Sequence, residues 1–173
     1  MNSSCSDDIV TKKGLCPALA DKIYTPEQWL LGNVVLPRPL VMTNGCFDIL
    51  HVGHVHYLSQ AKALGATLLV AVNSDASIQQ LNKGDNRPIN PLIYRLQMLA
   101  ALAAVDAVCW FEDATPLSLI KQIRPDILVK GGDWPIAQMI GAQEVVAWGG
   151  KVYSLPFVID ISTTAIINKI RAS

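Results

Sequence analysis

The chain has 173 residues, of which 51% are hydrophobic and 16% are charged, and this length suffices for one domain with a buried core. Lys and Arg together number 14, as do Asp and Glu, and the resulting net charge of zero disfavours nucleic-acid binding through a basic surface. Residues 1–8 are polar and acidic, so no secretion signal is expected. The longest apolar stretch, residues 98–111, is shorter than the roughly 20 residues that a membrane span needs.

The chain divides into an N-terminal extension, residues 1–38, and a single predicted domain, residues 39–173. The extension is weakly patterned apart from one short helix. Thr25 and Gln28 have the spacing of a capping box, which predicts the start of that helix, and Gly32 is expected to end it.

Five apolar segments alternate with helical patterns in the predicted domain. The segments predicted as strands are residues 39–42, 67–72, 107–111, 126–130 and 151–155. Helices are predicted over residues 52–64, 75–81, from 91 onward, 115–123, 136–148 and 162–171. Continuous apolar strands separated by helices are typical of a parallel sheet with right-handed crossovers and helices on both faces. We therefore expect an α/β fold with three layers, α/β/α, around a five-stranded parallel sheet, whose ligands bind at the carboxyl ends of the strands.

Two helices carry more specific predictions. Gly65 is expected to end the helix over residues 52–64 as its C-cap. In the helix that starts after residue 91, the predicted apolar face comprises Leu92, Leu96, Leu99 and Ala103.

A turn rich in small and polar residues joins the first strand to the next helix. Such a junction points backbone N–H groups and a helix N-terminus outward, and phosphate is the natural ligand of this arrangement. His51 and His54 lie three residues apart near the helix start, so both rings can face one point. Asp48 is expected to face these rings, where it would orient one of them or help to hold a cation. His56 should lie on a different face, at the surface.

Three interpretations of the histidine pair remain open from the residues alone. A metal site would need a third ligand at a suitable spacing, and none is evident. The four cysteines form no CxxC pair, and reduced thiols in a cytoplasmic protein are therefore expected. The rings could also only cap the turn. Phosphate binding fits best, because imidazole N–H donors would lie beside helix-terminal amides. The G-x-G-x-x-G fingerprint and the P-loop are both missing, which counts against the two common phosphate loops.

Residues 44–48, Asn-Gly-Cys-Phe-Asp, followed by His51-Val-Gly-His54, resemble the signature of the cytidylyltransferase-like nucleotidyltransferases, in which HxGH is the hallmark. Residues 161–164, Ile-Ser-Thr-Thr, resemble the second signature of that family. Residues 72–75, 83–88 and 129–133 resemble one branch, the D-glycero-β-D-manno-heptose 1-phosphate adenylyltransferases. The resemblance covers residues 39–171 and implies the Rossmann-like fold of the HxGH nucleotidyltransferases.

The resemblance implies a reaction between ATP and a sugar 1-phosphate that gives a nucleotide sugar and pyrophosphate. A phosphate monoester is largely ionised at neutral pH, so the reaction needs no general base. Mg²⁺ is expected with ATP, held mainly by the phosphates and water, and no dedicated metal site is expected in the chain. One form in this branch is bifunctional and carries a sugar kinase domain. This chain resembles the monofunctional form, for which a separate heptose kinase and a homodimer are expected.

The same resemblance implies the residues of the site. His51, His54 and Lys83 are the expected catalytic residues. The residues expected to bind the nucleotide lie in the turn, in the loop after Lys83, at the end of the fourth strand and at the start of the last helix: Thr43, Asn44, Gly45, Cys46, Phe47, Asp48, Arg87, Lys130, Gly131, Asp133, Ser162, Thr163 and Thr164.

Some of these roles have simple structural alternatives. Cys46 and Phe47 could only pack the turn, and Ser162 could only cap a helix. Arg95 is a weaker candidate that could equally be a surface or interhelical residue, and Trp134 could stack on a base or sugar or pack in the core. Many relatives carry Gly or Arg before the Ser-Thr-Thr element, where this chain has Asp160 and Ile161. An arginine at either place would contact the phosphates, so another residue would have to make that contact in this chain.

Three functions follow as hypotheses. The leading one is adenylyl transfer from ATP to D-glycero-β-D-manno-heptose 1-phosphate, which gives ADP-heptose for lipopolysaccharide or other surface glycans. The first alternative is cytidylyl transfer to glycerol 3-phosphate or a similar phosphate. The second is a nucleotide-binding module without turnover, against which the intact histidines, Lys83 and the Ser-Thr-Thr element argue.

Overall fold

The computed structural model describes residues 14–81, 87–159 and 161–172, so Lys83 and Asp160 lie outside the described residues. The strands are β1 Leu40–Gly45, β2 Thr67–Asn73, β3 Ala107–Phe111, β4 Ile127–Gly131 and β5 Lys151–Leu155. The α-helices are α1 Pro26–Leu30, α2 Val52–Lys62, α3 Asp75–Gln80, α4 Leu92–Ala100, α5 Leu117–Ile123, α6 Ala142–Ala147 and α7 Thr163–Arg171, and two 3-10 helices cover Pro17–Lys22 and Ile136–Gln138.

The five strands form one parallel sheet in the order β3-β2-β1-β4-β5. β1 lies at the centre, where Met42 is opposite Leu69 of β2 and Leu128 of β4. The chain proceeds from β1 to β2 and β3, then returns to the other side of β1 for β4. The strand order therefore reverses between β1 and β4, and the crevice at their carboxyl ends is the expected ligand site of such a sheet.

Alternate residues of the central strands enter two separate apolar cores, one on each face of the sheet. Val41 packs into one core and Met42 into the other. Helices α2 and α4 cover the first core, and α5 and α6 cover the second. This arrangement confirms the predicted three-layer α/β/α fold with a five-stranded parallel sheet.

β1 is longer than predicted at its carboxyl end. Residues 43–45, expected in the turn, continue the strand because each pairs with a residue of β2. Thr43 is opposite both Val70 and Val129, so it lies inside the sheet and not at its edge. The turn that carries the candidate residues therefore begins at Cys46.

The described part of the N-terminal extension packs along β3. Ile23 forms a parallel bridge with Val108, and the Tyr24 amide donates a 2.9 Å hydrogen bond to the Val108 carbonyl. The predicted capping box is confirmed, since Thr25 and Gln28 exchange side-chain and backbone hydrogen bonds at the start of α1. This segment thus covers the outer edge of the sheet at β3.

The prediction of one helix over residues 136–148 was wrong. The segment contains the 3-10 helix Ile136–Gln138 and the separate helix α6, with Gly141 between them in a left-handed conformation, φ 86°. The left-handed backbone at Gly141 favours glycine, and a Cβ there would also lie 2.7 Å from Cδ1 of Ile120. The break is set by packing against α5, which sequence periodicity does not show.

Two further predictions about helices were wrong. α2 ends at Lys62, and Gly65 is instead required beside β1, because a Cβ there would lie 2.5 Å from the Pro39 carbonyl oxygen. Ala103 is exposed and lies beyond the end of α4, whereas Arg95 belongs to the buried face of that helix. None of the helices in the described ranges combines the length and the apolar character that crossing a membrane requires.

Candidate active site

The two histidines stack on each other at the N-terminus of α2. His51 is the N-cap residue, and its ring lies 3.8 Å from that of His54 between centroids, with 23° between the ring planes. Gly53 makes this contact possible, because a Cβ there would lie 3.1 Å from Nδ1 of His51 and 3.1 Å from Cγ2 of Ile161. The spacing and the intervening glycine of the HxGH sequence thus place both rings side by side.

Burial keeps both histidines neutral at neutral pH. It lowers the pKa of His54 to about 4, to which charge repulsion from His51 also contributes, and it lowers the pKa of His51. The Nδ1 atoms of both rings are buried and have no hydrogen-bond partner among the described residues. Two polar atoms left without partners in one place are typical of a site whose ligand supplies the missing hydrogen bonds.

The Phe47 ring packs against the ring of His54. Its ring centroid lies 5.2 Å from that of His54 at 57°, and the residue is buried. The backbone of Phe47 is left-handed, φ 47°, which is unusual for a bulky residue and is often found at functional sites. The left-handed backbone of Phe47 therefore places an aromatic ring against His54. The same contact would form if Phe47 only packed the turn.

Asp48 lines the same cavity as His51 and His54, but the hydrogen bonds of its carboxylate go to the loop after Lys83. Its buried carboxylate accepts hydrogen bonds from Arg87 Nε at 2.6 Å, from the Ile89 amide at 2.9 Å and from the Asn90 amide at 2.8 Å. A buried carboxylate requires charged and polar partners, and the loop after Lys83 supplies them. The carboxylate therefore holds that loop, and the hydrogen bonds of the described residues include none from Asp48 to a histidine ring.

A cavity of about 500 Å³ joins the histidines to the start of α7, and we call it the histidine cavity. Its lining combines the turn, Arg87 and the last helix: Cys46, Phe47, Asp48, His51, His54, Arg87, Phe157, Ile161, Ser162, Thr163 and Thr164. Ser162 caps α7 by accepting a hydrogen bond from the Ala165 amide, and Thr163 Oγ1 donates to the Ile49 carbonyl at 3.2 Å. These contacts tie the helix N-terminus to the turn.

A second cavity of about 360 Å³ lies at the carboxyl ends of β1, β2 and β4, and we call it the strand-end cavity. Polar side chains, a lysine and an indole ring are part of its lining, among them Asn44, Asn73, Lys130, Trp134 and Gln138. Cys46 lines both cavities, which therefore adjoin each other at the turn. Trp134 is 50% exposed, so the alternative that it packs in the core was wrong.

Three of the predicted nucleotide-binding residues line neither of these cavities. Thr43 is buried, and its hydroxyl shares a 2.6 Å hydrogen bond with that of Tyr57. Asp133 is exposed on the surface. Gly131 instead adjoins Phe157, since a Cβ there would lie 2.8 Å from that ring. Gly45, in contrast, lines the strand-end cavity, and His56 is exposed as predicted.

Arg95 is the residue whose importance the sequence interpretation underestimated. It is fully buried, so the surface alternative was wrong. Its guanidinium donates hydrogen bonds to the carbonyls of Cys46 and Asn73, each at 2.7 Å, and pairs with Asp75. The signal was present in the sequence, because a charged residue in the apolar stripe of a helix must find partners when it is buried.

The family model described as cytidylyltransferase-like matches residues 42–169, which include the turn, both cavities and most of α7. The chain belongs to the cytidylyltransferase-like family. It is accordingly a nucleotidyltransferase, as the HxGH and Ser-Thr-Thr elements predicted.

Curated relatives of this cytidylyltransferase-like chain confirm its resemblance to the heptose branch. It is 54% identical over 136 residues to the D-beta-D-heptose 1-phosphate adenylyltransferase of Bordetella bronchiseptica, covering 79% of this chain and 84% of the relative. It is 56% identical over 132 residues to the bifunctional protein HldE of Hahella chejuensis, covering 76% of this chain and 28% of that protein. A match to HldE of Nitrosococcus oceani extends over 92% of this chain at 51% identity, again with only 34% of the relative covered.

Solved structures confirm the Rossmann-like fold of this cytidylyltransferase-like chain. The lipopolysaccharide core biosynthesis protein of Thermoplasma volcanium matches with a TM-score of 0.56 and 30% identity, over 68% of this chain and 94% of that one. Pantoate-beta-alanine ligase of Francisella tularensis matches with a TM-score of 0.54 over 87% of this chain and 78% of that one. Its identity of 16% supports similarity of fold alone.

Proposed function

We propose that the protein transfers the adenylyl group of ATP to D-glycero-β-D-manno-heptose 1-phosphate, which gives ADP-heptose and pyrophosphate for lipopolysaccharide or other surface glycans. The observation that carries this proposal is the 54% identity to a D-beta-D-heptose 1-phosphate adenylyltransferase, over 84% of the length of that relative. The stacked histidines beside the N-terminus of α7 support the same chemistry, because together they offer donors for a triphosphate.

The histidine cavity is proposed to bind the triphosphate of ATP. Ser162, Thr163 and Thr164 bring hydroxyls and backbone amides at a helix N-terminus, where the helix dipole favours an anion. His51 and His54 add imidazole N–H donors, and Arg87 contributes a cation that Asp48 holds in place. Lys83, which lies outside the described residues, keeps its proposed role by resemblance alone. Thr43, Gly131 and Asp133 stay proposed nucleotide contacts, whereas Asn44, Gly45 and Lys130 line the strand-end cavity, for which a different ligand is proposed.

The strand-end cavity is proposed to bind the sugar phosphate. Amides such as Asn44 and Asn73 suit sugar hydroxyls, and the half-exposed indole of Trp134 offers an apolar surface to the C–H face of a sugar ring. Because Cys46 lines both cavities, an acceptor bound here would present its phosphate to the α-phosphate of ATP across the turn.

The chemistry needs alignment and charge stabilisation from this chain. An oxygen of the sugar phosphate attacks the α-phosphorus, the bond from that phosphorus to the bridging oxygen of the β-phosphate breaks, and pyrophosphate leaves with both electrons. The attacking phosphate is already ionised, since its second pKa is about 6. The histidine and helix N–H groups stabilise the charge that develops on the α-phosphate and the leaving group.

Mg²⁺ is proposed to enter the site with ATP. No group of three or more His, Cys, Asp or Glu side chains that could hold a metal ion occurs in the part of the chain that the structure describes. The Asp48 carboxylate is already engaged by Arg87 and two amides. The residues described therefore favour an ion coordinated by the phosphates and water, where it would neutralise phosphate charge.

The expected partners and organisation stay proposals as well. These are a homodimer, a cytoplasmic location and a separate heptose kinase that supplies the sugar phosphate. We also propose that the chain divides into an extension, residues 1–38, and a domain, residues 39–173. The described part of the extension packs on β3 of that domain through Ile23 and Tyr24.

A pyrophosphate-release screen tests the proposal by crossing ATP and CTP with D-glycero-β-D-manno-heptose 1-phosphate and glycerol 3-phosphate. The expected result is release only with ATP and the heptose 1-phosphate. Release with CTP and glycerol 3-phosphate would instead support cytidylyl transfer. An absence of release with every pair would contradict an enzymatic role and favour a nucleotide-binding module.

A further inference from the structure

Arg95 connects three separate segments of the chain without lining either cavity. Its Nε donates to the Asn90 carbonyl at 3.0 Å, its Nη1 donates to the carbonyls of Cys46 and Asn73 at 2.7 Å each, and its Nη2 pairs with Asp75 at 2.7 Å. The side chain is fully buried, and it is absent from the lining of the histidine cavity and of the strand-end cavity.

The contact with Cys46 bears directly on the histidine stack. The Cys46 carbonyl belongs to the peptide that joins it to Phe47, whose left-handed backbone directs the ring against His54. A hydrogen bond from a charged donor at 2.7 Å fixes the orientation of that peptide plane. Arg95 therefore holds the strained residue on which the position of the His54 ring depends.

The Arg95 guanidinium also supports the other end of the turn, at Asp48, through Asn90. Asn90, whose carbonyl accepts from Arg95, donates its backbone amide to the Asp48 carboxylate and its side-chain amide to the Asp48 carbonyl. Residues 46–48 are thus fixed at both ends by one connected network. All three residues line the histidine cavity, and Cys46 also lines the strand-end cavity.

We propose that Arg95 is a positioning residue for nucleotidyl transfer: by fixing residues 46–48, it places Phe47 against His54 and sets the alignment of the two cavities. The kinetic part of this inference rests on the proposed function. Lysine cannot replace the arginine fully, because an ammonium group has three donors and cannot match the planar fork that reaches four acceptors.

Two substitutions of Arg95 separate positioning from simple support of the fold. Arg95→Met fills similar space and leaves the carbonyls of Cys46, Asn73 and Asn90 without their donor. We expect kcat to fall by about tenfold to a hundredfold, because small misalignments at a reacting centre have effects of this size. The KM for ATP should change by less than about threefold, since the donors of the histidine cavity remain. Arg95→Lys should recover part of the lost kcat.

Leu99→Ala is the matched control. Leu99 lies on the same helix, is fully buried and has no place in the network around Arg95. The substitution should lower the melting temperature because it leaves a cavity in the core. It should leave kcat of the folded enzyme unchanged.

The readout independent of turnover is the NMR chemical shift of the His54 ring protons, which the adjacent Phe47 ring displaces. Arg95→Met should move these resonances, Arg95→Lys should move them less, and Leu99→Ala should leave them in place. The proposal is overturned if Arg95→Met lowers the melting temperature, as Leu99→Ala does, while kcat and the His54 resonances match the wild type. If Arg95→Met does not fold, Arg95→Lys decides by the same two measurements. A wild-type protein without turnover would contradict the proposed function. The effect of Arg95 on the position of His54 would still be tested by the His54 resonances, because these require no substrate.

Discussion

At the scale of single residues, the histidine pair concentrates the features that a phosphate site needs. The rings are stacked, both Nδ1 atoms lack a partner among the described residues, and burial suppresses protonation. A bound polyphosphate would supply acceptors for these groups and would favour their protonated forms. The pair therefore matches a triphosphate better than it matches a metal ion, for which the described residues offer no third ligand.

Removal of either histidine that we propose as catalytic should abolish most of the activity. His54→Ala and His51→Ala are each expected to lower kcat by about a hundredfold to a thousandfold, as the loss of one donor to developing charge does in other enzymes. Steady-state assays of pyrophosphate release measure this effect. His56→Ala is the control, because that histidine is exposed on another face of α2 and should leave kcat unchanged. Unimpaired turnover of His54→Ala would contradict the assignment.

The histidine pair should also couple nucleotide binding to proton uptake. The pKa of His54 is about 4 in the free protein, and the triphosphate should raise it because the imidazolium form would then face negative charge. NMR titration of the His54 ring protons with and without ATP measures the shift. A pKa that stays near 4 or falls when ATP binds would show that the ring does not face the phosphates.

Stability should depend on pH through the same residue. The folded-state pKa lies below the unfolded value of 6.5, so between these values the unfolded chain binds a proton that the folded chain does not. The free energy of unfolding should therefore decrease as the pH falls from about 6.5 towards 4. Denaturant unfolding at several pH values tests this, and His54→Gln should flatten the dependence relative to the wild type.

At the scale of elements, the start of α2 depends on Gly53. An added methyl group would lie 3.1 Å from His51 Nδ1, so Gly53→Ala should separate the stacked rings. Alanine is favoured over glycine in a helix by about 1 kcal/mol, which should offset part of the steric cost in stability. We expect kcat to fall by about tenfold with little change in melting temperature. Gln60→Ala, on the exposed face of α2, is the control; equal kcat values for the two variants would contradict this role of Gly53.

The loop that follows Lys83 is held in place by Asp48. Its carboxylate is fully buried and pairs with Arg87 at 2.6 Å. Asp48→Ala should lower the free energy of unfolding by about 3 kcal/mol, because the partner charge is left without its carboxylate. Lys121→Ala is the control, since its pair with Glu144 at 3.4 Å is exposed and should contribute less than about 1 kcal/mol. Denaturant unfolding that gives equal losses for both variants would contradict the structural role of Asp48.

The elements also show which features the sequence could predict. The five strands and the caps at Thr25 and Ser162 follow from local patterns, and the structure confirms them. The break at Gly141 depends on the approach of Ile120 from another helix, and the extension of β1 depends on its pairing with β2. Such features arise from contacts between distant segments, which periodicity within one segment does not contain.

At the scale of the whole molecule, the sheet explains why residues distant in sequence form one site. β1 lies between β2 and β4, and the reversal of strand order places the turn after β1 beside the ends of both strands. Two adjoining cavities result, and α7 closes one of them. The HxGH and Ser-Thr-Thr elements predicted residues that the structure brings together in the histidine cavity, where we propose that they bind phosphate. The sequence did not predict the partners of Asp48 and Arg95, because hydrogen bonds between segments 22 to 49 residues apart depend on the folded structure.

The central claim is adenylyl transfer between the two cavities, and ³¹P NMR of a single reaction mixture tests it most directly. With ATP, Mg²⁺ and D-glycero-β-D-manno-heptose 1-phosphate, we expect equal amounts of pyrophosphate and a new diphosphate diester, ADP-heptose, and we expect His54→Ala to form both products about a hundredfold to a thousandfold more slowly. A spectrum in which the wild type leaves the heptose 1-phosphate signal unchanged, or forms the diester as fast with CTP as with ATP, would contradict it.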